Sequence, residues 1–118
     1  MAVKERNKEN IDYLIIIIEN NIIKQNNIHA FEILYLEFYK NLMENKIKRI
    51  DYYIIITSVI KYFEENYSDI DIVFEILHEI YSALIGHCSS NLIPQFNGEP
   101  ENQNELVKFV RSEKWKFM

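Results

Sequence analysis

Glycine and proline are scarce: two of each occur in the 118 residues, and all four lie at or beyond Gly86. The stretch before Gly86 therefore lacks the punctuation that a multi-stranded β protein needs at its turns, and long helices are expected there. The lone cysteine, Cys88, cannot form an internal bridge, so nothing marks an oxidising compartment and a cytoplasmic location is expected. The apolar run Leu14 to Ile18 is far shorter than the roughly 20 residues that span a bilayer, and it reads as a buried helix with no membrane role. The segment Met1 to Asn10 is charged in both signs and no small-residue cleavage site follows the run, which argues against a secretory signal. A P-loop, a glycine-rich dinucleotide turn and a nucleophile elbow are all missing.

What is present is a globular balance, 48% hydrophobic and 26% charged, which excludes a disordered or low-complexity chain. A domain of this length buries roughly two-thirds of the surface its unfolded chain exposes, enough to hold together without metal or disulfide. Residues 1–118 are read as a single domain, with no internal repeat and no linker.

Helical periodicity organises the chain. From about Asn10 to Lys24, Ile11, Leu14, Ile15, Ile18 and Ile22 share a face, and Gln25, Asn26 and Asn27 end the segment. From about His29 to Glu44, Phe31, Leu34, Tyr35, Phe38 and Leu42 fall together, and Lys46, Lys48 and Arg49 follow as a solvated basic connector. Asp51 to Glu65 contains the β-branched and aromatic run Tyr52 to Thr57, which scores as strand on propensity. Its Tyr52, Ile55, Ile56, Val59, Ile60 and Phe63 nevertheless recur at helical spacing, and a lone strand lacks a partner, so helix is expected. Ile70 to Ile85 carries one continuous stripe of Ile70, Val73, Phe74, Leu77, Ile80, Tyr81 and Leu84, with Ser68 and Asp71 as a start signal and Gly86 as a stop. Residues 87–100 read as an irregular loop broken by Pro94, Gly98 and Pro100. A last helix starts near Asn102, capped with Glu105, and turns Leu106, Phe109 and Val110 inward. The expected fold class is all-α, an antiparallel bundle of four to five helices.

The net charge of −5 conceals an uneven distribution. Residues 1–61 sum to +1, residues 62–107 to −9 and residues 108–118 to +3. The forty-six residues of the middle zone hold no Lys or Arg, but contain Glu64, Glu65, Asp69, Asp71, Glu75, Glu79, Glu99, Glu101 and Glu105. Such a zone presents a negative field whose natural partner is a basic protein. Asp71, Glu75 and Glu79 recur every four residues opposite the apolar stripe, a spacing that costs a helix a few tenths of a kcal/mol per pair. An ordinary solvated face is the plainer explanation of such a row, and a binding surface the functional one.

His29, His78, His87 and Cys88 were the remaining candidates for chemistry. Adjacent His87 and Cys88 lack the separated spacing of a zinc site, so no metal and no cofactor are expected, and Cys88 reads as a small residue packed at the loop start. His78 between Glu75 and Glu79 lacks the converging groups of a catalytic pocket, and an enzyme is not expected. Direct nucleic-acid binding is disfavoured, because the basic residues are scattered and the net charge has the wrong sign.

Two stretches, IHAFEILYLEFYK at 28–40 and FEILHEIYSALIGHC at 74–88 followed by ELVKFV at 105–110, resemble the bacterial self-protective colicin-like immunity proteins, the family that includes the colicin D immunity protein. Ile28 to Lys40 resembles that family's second helix. Phe74 to Cys88, with the Pro-containing acidic loop and the 105–110 segment, is similar to its long helix, Cys-containing loop and closing helix. In this chain Phe31 and Glu32 sit closer to Ile28 than in the family pattern, residues 44–68 form an additional segment, and no family functional residue is transferred by position. The resemblance implies an immunity protein that occupies the basic active site of a cognate toxin from a colicin or contact-dependent delivery system, commonly a tRNA-cleaving nuclease.

Taken with the charge pattern, the expectation is a non-catalytic inhibitor, monomer or weak dimer, meeting its toxin through Glu64, Glu65, Asp69, Asp71, Glu75 and Glu79. Tyr67 is the expected aromatic anchor of that surface, ahead of Trp115 in the basic tail. The rival expectation is a structural or regulatory subunit that associates through Tyr52, Tyr53, Tyr62, Phe63 and Tyr67, although aromatic residues more often line the core.

Overall fold

The computed structural model describes residues 3–89 and 92–117, with side chains from Asn7 onward. Five α-helices follow one another: α1 (Val3–Ile18), α2 (Ile28–Glu44), α3 (Arg49–Asn66), α4 (Asp71–Ile85) and α5 (Gln103–Arg111). A π-helical turn, Glu19–Ile23, extends α1, and a 3-10 turn, Lys114–Phe117, follows α5. Among the described residues there is no strand, and the chain is all-α as the apolar periodicity predicts.

The ends of the helices follow local chemistry. Asn27 caps α2 by accepting from the Ala30 N–H at 3.0 Å, and Asn102 caps α5 by accepting from Asn104 and Glu105 at 3.0 and 3.2 Å. Gly86 stops α4 with φ of 81°, in the left-handed region that a side chain disfavours. The start of α4 departs from expectation. Ile70 occupies the cap position without a side-chain bond, so the Ser68 signal is not used, and the turn before it is instead made by Asp69 at φ of 57°.

The main correction in α1 is its length and its end. It begins at Val3, and at Glu19 the ladder widens, with the Lys24 N–H reaching the Glu19 carbonyl at 3.0 Å, five residues back. Such π turns are uncommon and often sit at functional sites.

α3 lies at the centre, packed on α1 and α4, while α2 covers α1 and the π turn. Its β-branched run is helical because burial on two sides outweighs propensity: Tyr52, Ile55, Ile56, Val59, Ile60 and Phe63 are all in the core. They meet Leu14, Ile15, Ile17, Ile18 and Ile22 from the first segment, Phe31, Phe38 and Leu42 from α2, and Val73, Leu77 and Leu84 from α4. Truncating fully buried Ile55 or Ile56 to Ala leaves a cavity worth about 2–5 kcal/mol. Asn7 ties the start of α1 to that of α3 through Asp51, 3.1 Å away. A smaller, separate apolar cluster of Ile93, Leu106 and Val110, with Cys88, Val107 and Phe109 around it, holds α5. Residues 90 and 91 of the expected 87–100 loop lie outside the described residues.

Candidate functional site

The acidic residues of the middle zone do not act alike. Glu64 and Glu65 end α3, Asp69 sits in the α3–α4 turn, and Asp71, Glu75 and Glu79 climb the outer face of α4, all exposed. α4 turns Val73, Leu77 and Leu84 inward, which by helical geometry leaves the Asp71, Glu75, Glu79 row facing away from α3. His78 and Ile72 are exposed on the same side. Among the described residues, Glu65 has a loose ion pair with Lys61 at 4.0 Å, and Glu64, Asp69, Asp71, Glu75 and Glu79 have none. Six exposed carboxylates thus run from the end of α3 through the turn to the outer face of α4, and of these six only Glu65 has an ion pair within 4.0 Å among the described residues.

Tyr67 borders this edge, half-buried at the end of α3. Its ring lies 5.4 Å from Phe63, and its hydroxyl donates to the Glu19 carboxylate, which also accepts from Tyr62 at 3.1 Å. The hydrogen bond to Glu19, aided by burial and by the carboxylate charge, pushes the Tyr67 phenol up to about 12. Tyr62 is raised for the same leading cause. Glu19, in the π turn, thus ties the end of the first helical segment to the end of α3 through two tyrosines, a connection that the sequence did not signal.

Glu99 does not belong to the exposed field, and this corrects the sequence reading of both it and Arg49. Arg49 is among the most buried side chains of the protein, at 1% exposure. Its Nε donates to Glu99 Oε2 at 3.0 Å and its Nη2 to Oε1 at 2.9 Å, while Nη1 donates to the Leu84 carbonyl at 2.7 Å and Nη2 also to the Pro94 carbonyl. The guanidinium lies over Phe96 at 4.6 Å and near Trp115 at 5.9 Å. Glu99 Oε1 additionally accepts from the Phe96 N–H at 3.0 Å. One arginine thus joins the start of α3, the end of α4, the 94–99 loop and the C-terminal turn. Lys46 and Lys48 remain exposed, as a connector should be. Trp115, read as part of a basic tail, is buried, and its indole N–H donates to the Val110 carbonyl at 2.8 Å.

A cleft of about 200 Å³ opens beside this pair, lined by Lys48, Ile50, Asn97, Gly98, Phe109 and Trp115 as well as the pair itself. Of the three charged groups that line it, Arg49 and Glu99 are paired with each other, and Lys48 is exposed at its mouth. His87 is exposed, and Cys88 is half-buried against the satellite cluster with its thiol directed to the Ser89 carbonyl at 3.4 Å.

The tyrosines of the middle helices are mostly core. Tyr52 is buried and shares a hydrogen bond with Tyr35, and Tyr39 packs edge-on against it at 5.7 Å. Burial raises the pKa of all three phenols. Tyr53, Tyr62 and Tyr67 are half-buried, and Phe63 is fully buried.

Compared with protein-family models, characterised proteins and solved structures, the chain finds no match in any of the three.

Proposed function

We propose that this protein is a non-catalytic inhibitor of immunity type, which binds a basic toxin domain, a (t)RNA-cleaving nuclease in the first instance, through its acidic edge. The observation that carries the reading is the row Asp71, Glu75, Glu79 with Glu64 and Asp69, five exposed carboxylates without an ion-pair partner among the described residues. Like charges at four-residue spacing weaken a helix slightly, so helix stability gives a reason for Asp71, in the first turn of α4, but none for Glu75 and Glu79. A nuclease groove is lined with Lys and Arg to hold phosphates, and a row of carboxylates is complementary to it. Tyr67, whose ring is fixed by its hydroxyl bond to Glu19, supports the reading as the aromatic anchor of this surface.

Co-expression with the product of the adjacent upstream gene tests the proposal. Rescue from its toxicity together with a stable complex is expected, and a partner that is neither toxic nor bound ends the immunity reading. A second reading, association with another copy or a scaffold, draws on exposed Tyr13 and Ile16 of α1 and Ile33 and Leu36 of α2. Sedimentation separates the two, since a salt-insensitive dimer indifferent to the toxin favours association.

A further inference from the structure

We propose that α5 and the C-terminal turn form a lid, residues 103–117, that undocks as one unit from α3 and α4 while the four longer helices stay folded. The lid is closed upon itself. Trp115 donates to Val110, the Glu113 N–H reaches the Val110 carbonyl at 3.2 Å, the Ser112 hydroxyl reaches Phe109 at 2.7 Å, and the Lys116 N–H reaches Glu113 at 3.1 Å. These bonds are internal, so Trp115 travels with α5.

Its ties to the body are of a different kind. Leu106 and Val110 pack on Ile93 in a cluster separate from the main core. Arg111 donates to the carbonyls of Gly86 at 2.9 Å and Cys88 at 3.3 Å. Trp115 sits edge-on against Tyr53 at 5.5 Å, and Lys116 lies 5.0 Å over the same Tyr53 ring. A nine-residue helix held by a satellite cluster and by the carbonyl contacts of one exposed arginine is drawn from the low-stability end of a fold. The cleft between Phe109, Trp115, Ile50 and the 97–99 turn runs along this seam, where packing is incomplete.

The hinge is equally defined. Glu99 is fixed by Arg49 and Asn102 is fixed as the cap of α5, which leaves the ψ of Pro100, whose φ is locked by its ring, and both dihedrals of Glu101 to absorb the motion. Opening uncovers a seat made by Tyr53, Tyr81 and the flank of Arg49, with the Tyr53 and Tyr81 rings 5.8 Å apart.

Hydrogen exchange followed by mass spectrometry on the full chain tests this. The amides of 106–112 are expected to exchange at least about tenfold faster than those of 55–63, and Trp115→Ala to speed the first set by about tenfold more while leaving the second within about twofold. Equal protection of the two sets, or a uniform rise across all helices in the variant, overturns the lid. If Trp115→Ala does not fold, the native chain decides through its only tryptophan. A Trp115 fluorescence transition that precedes loss of far-UV circular dichroism in urea supports the lid, and coincident transitions overturn it.

Discussion

Arg49 and Glu99 stand fifty residues apart in the chain and 2.9 Å apart in the fold, both nearly inaccessible to solvent. A buried pair of this kind is no large net gain over apolar packing, but removing one partner strands a charge and costs about 3–5 kcal/mol. Glu99→Ala is therefore expected to lower the urea midpoint sharply, with Glu99→Gln milder because the amide keeps an acceptor for Arg49 and the Phe96 N–H. Unchanged denaturation of Glu99→Ala contradicts this.

The two glycines predict unequal penalties despite equal backbone angles. Gly86 and Gly98 have φ of 81° and 82°, but a Cβ at Gly86 meets Arg111 Cγ at 3.0 Å and Val110 Cγ1 at 3.1 Å, whereas at Gly98 it meets nothing within 4 Å. Gly98→Ala is expected to cost about 1 kcal/mol from backbone strain alone, and Gly86→Ala about 1–3 kcal/mol beyond that as α5 is pushed outward. Thermal melts of the two variants give the order directly.

Tyrosine ionisation should carry a pH signature. The Tyr67 phenol is held at about 12 by its bond to Glu19, against about 10 in an unfolded chain. A raised phenol keeps its proton longer in the folded state, so this contribution to stability is complete below about pH 10 and is lost as pH rises toward 12. Glu19→Gln should move part of the tyrosinate absorbance change to lower pH. An identical titration in the variant argues against the Glu19 contact.

Which parts of this were legible in the sequence follows from the range of the interactions. The stripe from Tyr52 to Phe63 is periodic within one helix, and it placed all six residues in the core even where propensity favoured a strand. Gly86 and Asn102 act on their own helix ends and were equally readable. Arg49 was not, because it follows Lys46 and Lys48 in a run of bases and its partner lies in an acidic loop with no periodic relation to it. Trp115 was hidden among lysines in the same way. Glu19 was not legible because its partners, Tyr62 and Tyr67, lie on another helix and its end, with no periodic relation to it. The acidic row of α4 was fully readable as a face.

That row carries the functional proposal, and its test combines Asp71→Lys, Glu75→Lys and Glu79→Lys in one chain. All three side chains are exposed, so the fold should survive with a change of at most about 1 kcal/mol, mainly from placing cations near the start of α4. Binding of the co-expressed toxin is then measured for both chains at low and moderate salt. The account predicts that the native chain binds more weakly as salt rises, and that the helical triple variant loses about 2 kcal/mol or more of binding together with most of its salt dependence. A variant that remains helical and binds with unchanged affinity and unchanged salt dependence contradicts the acidic edge as the binding surface.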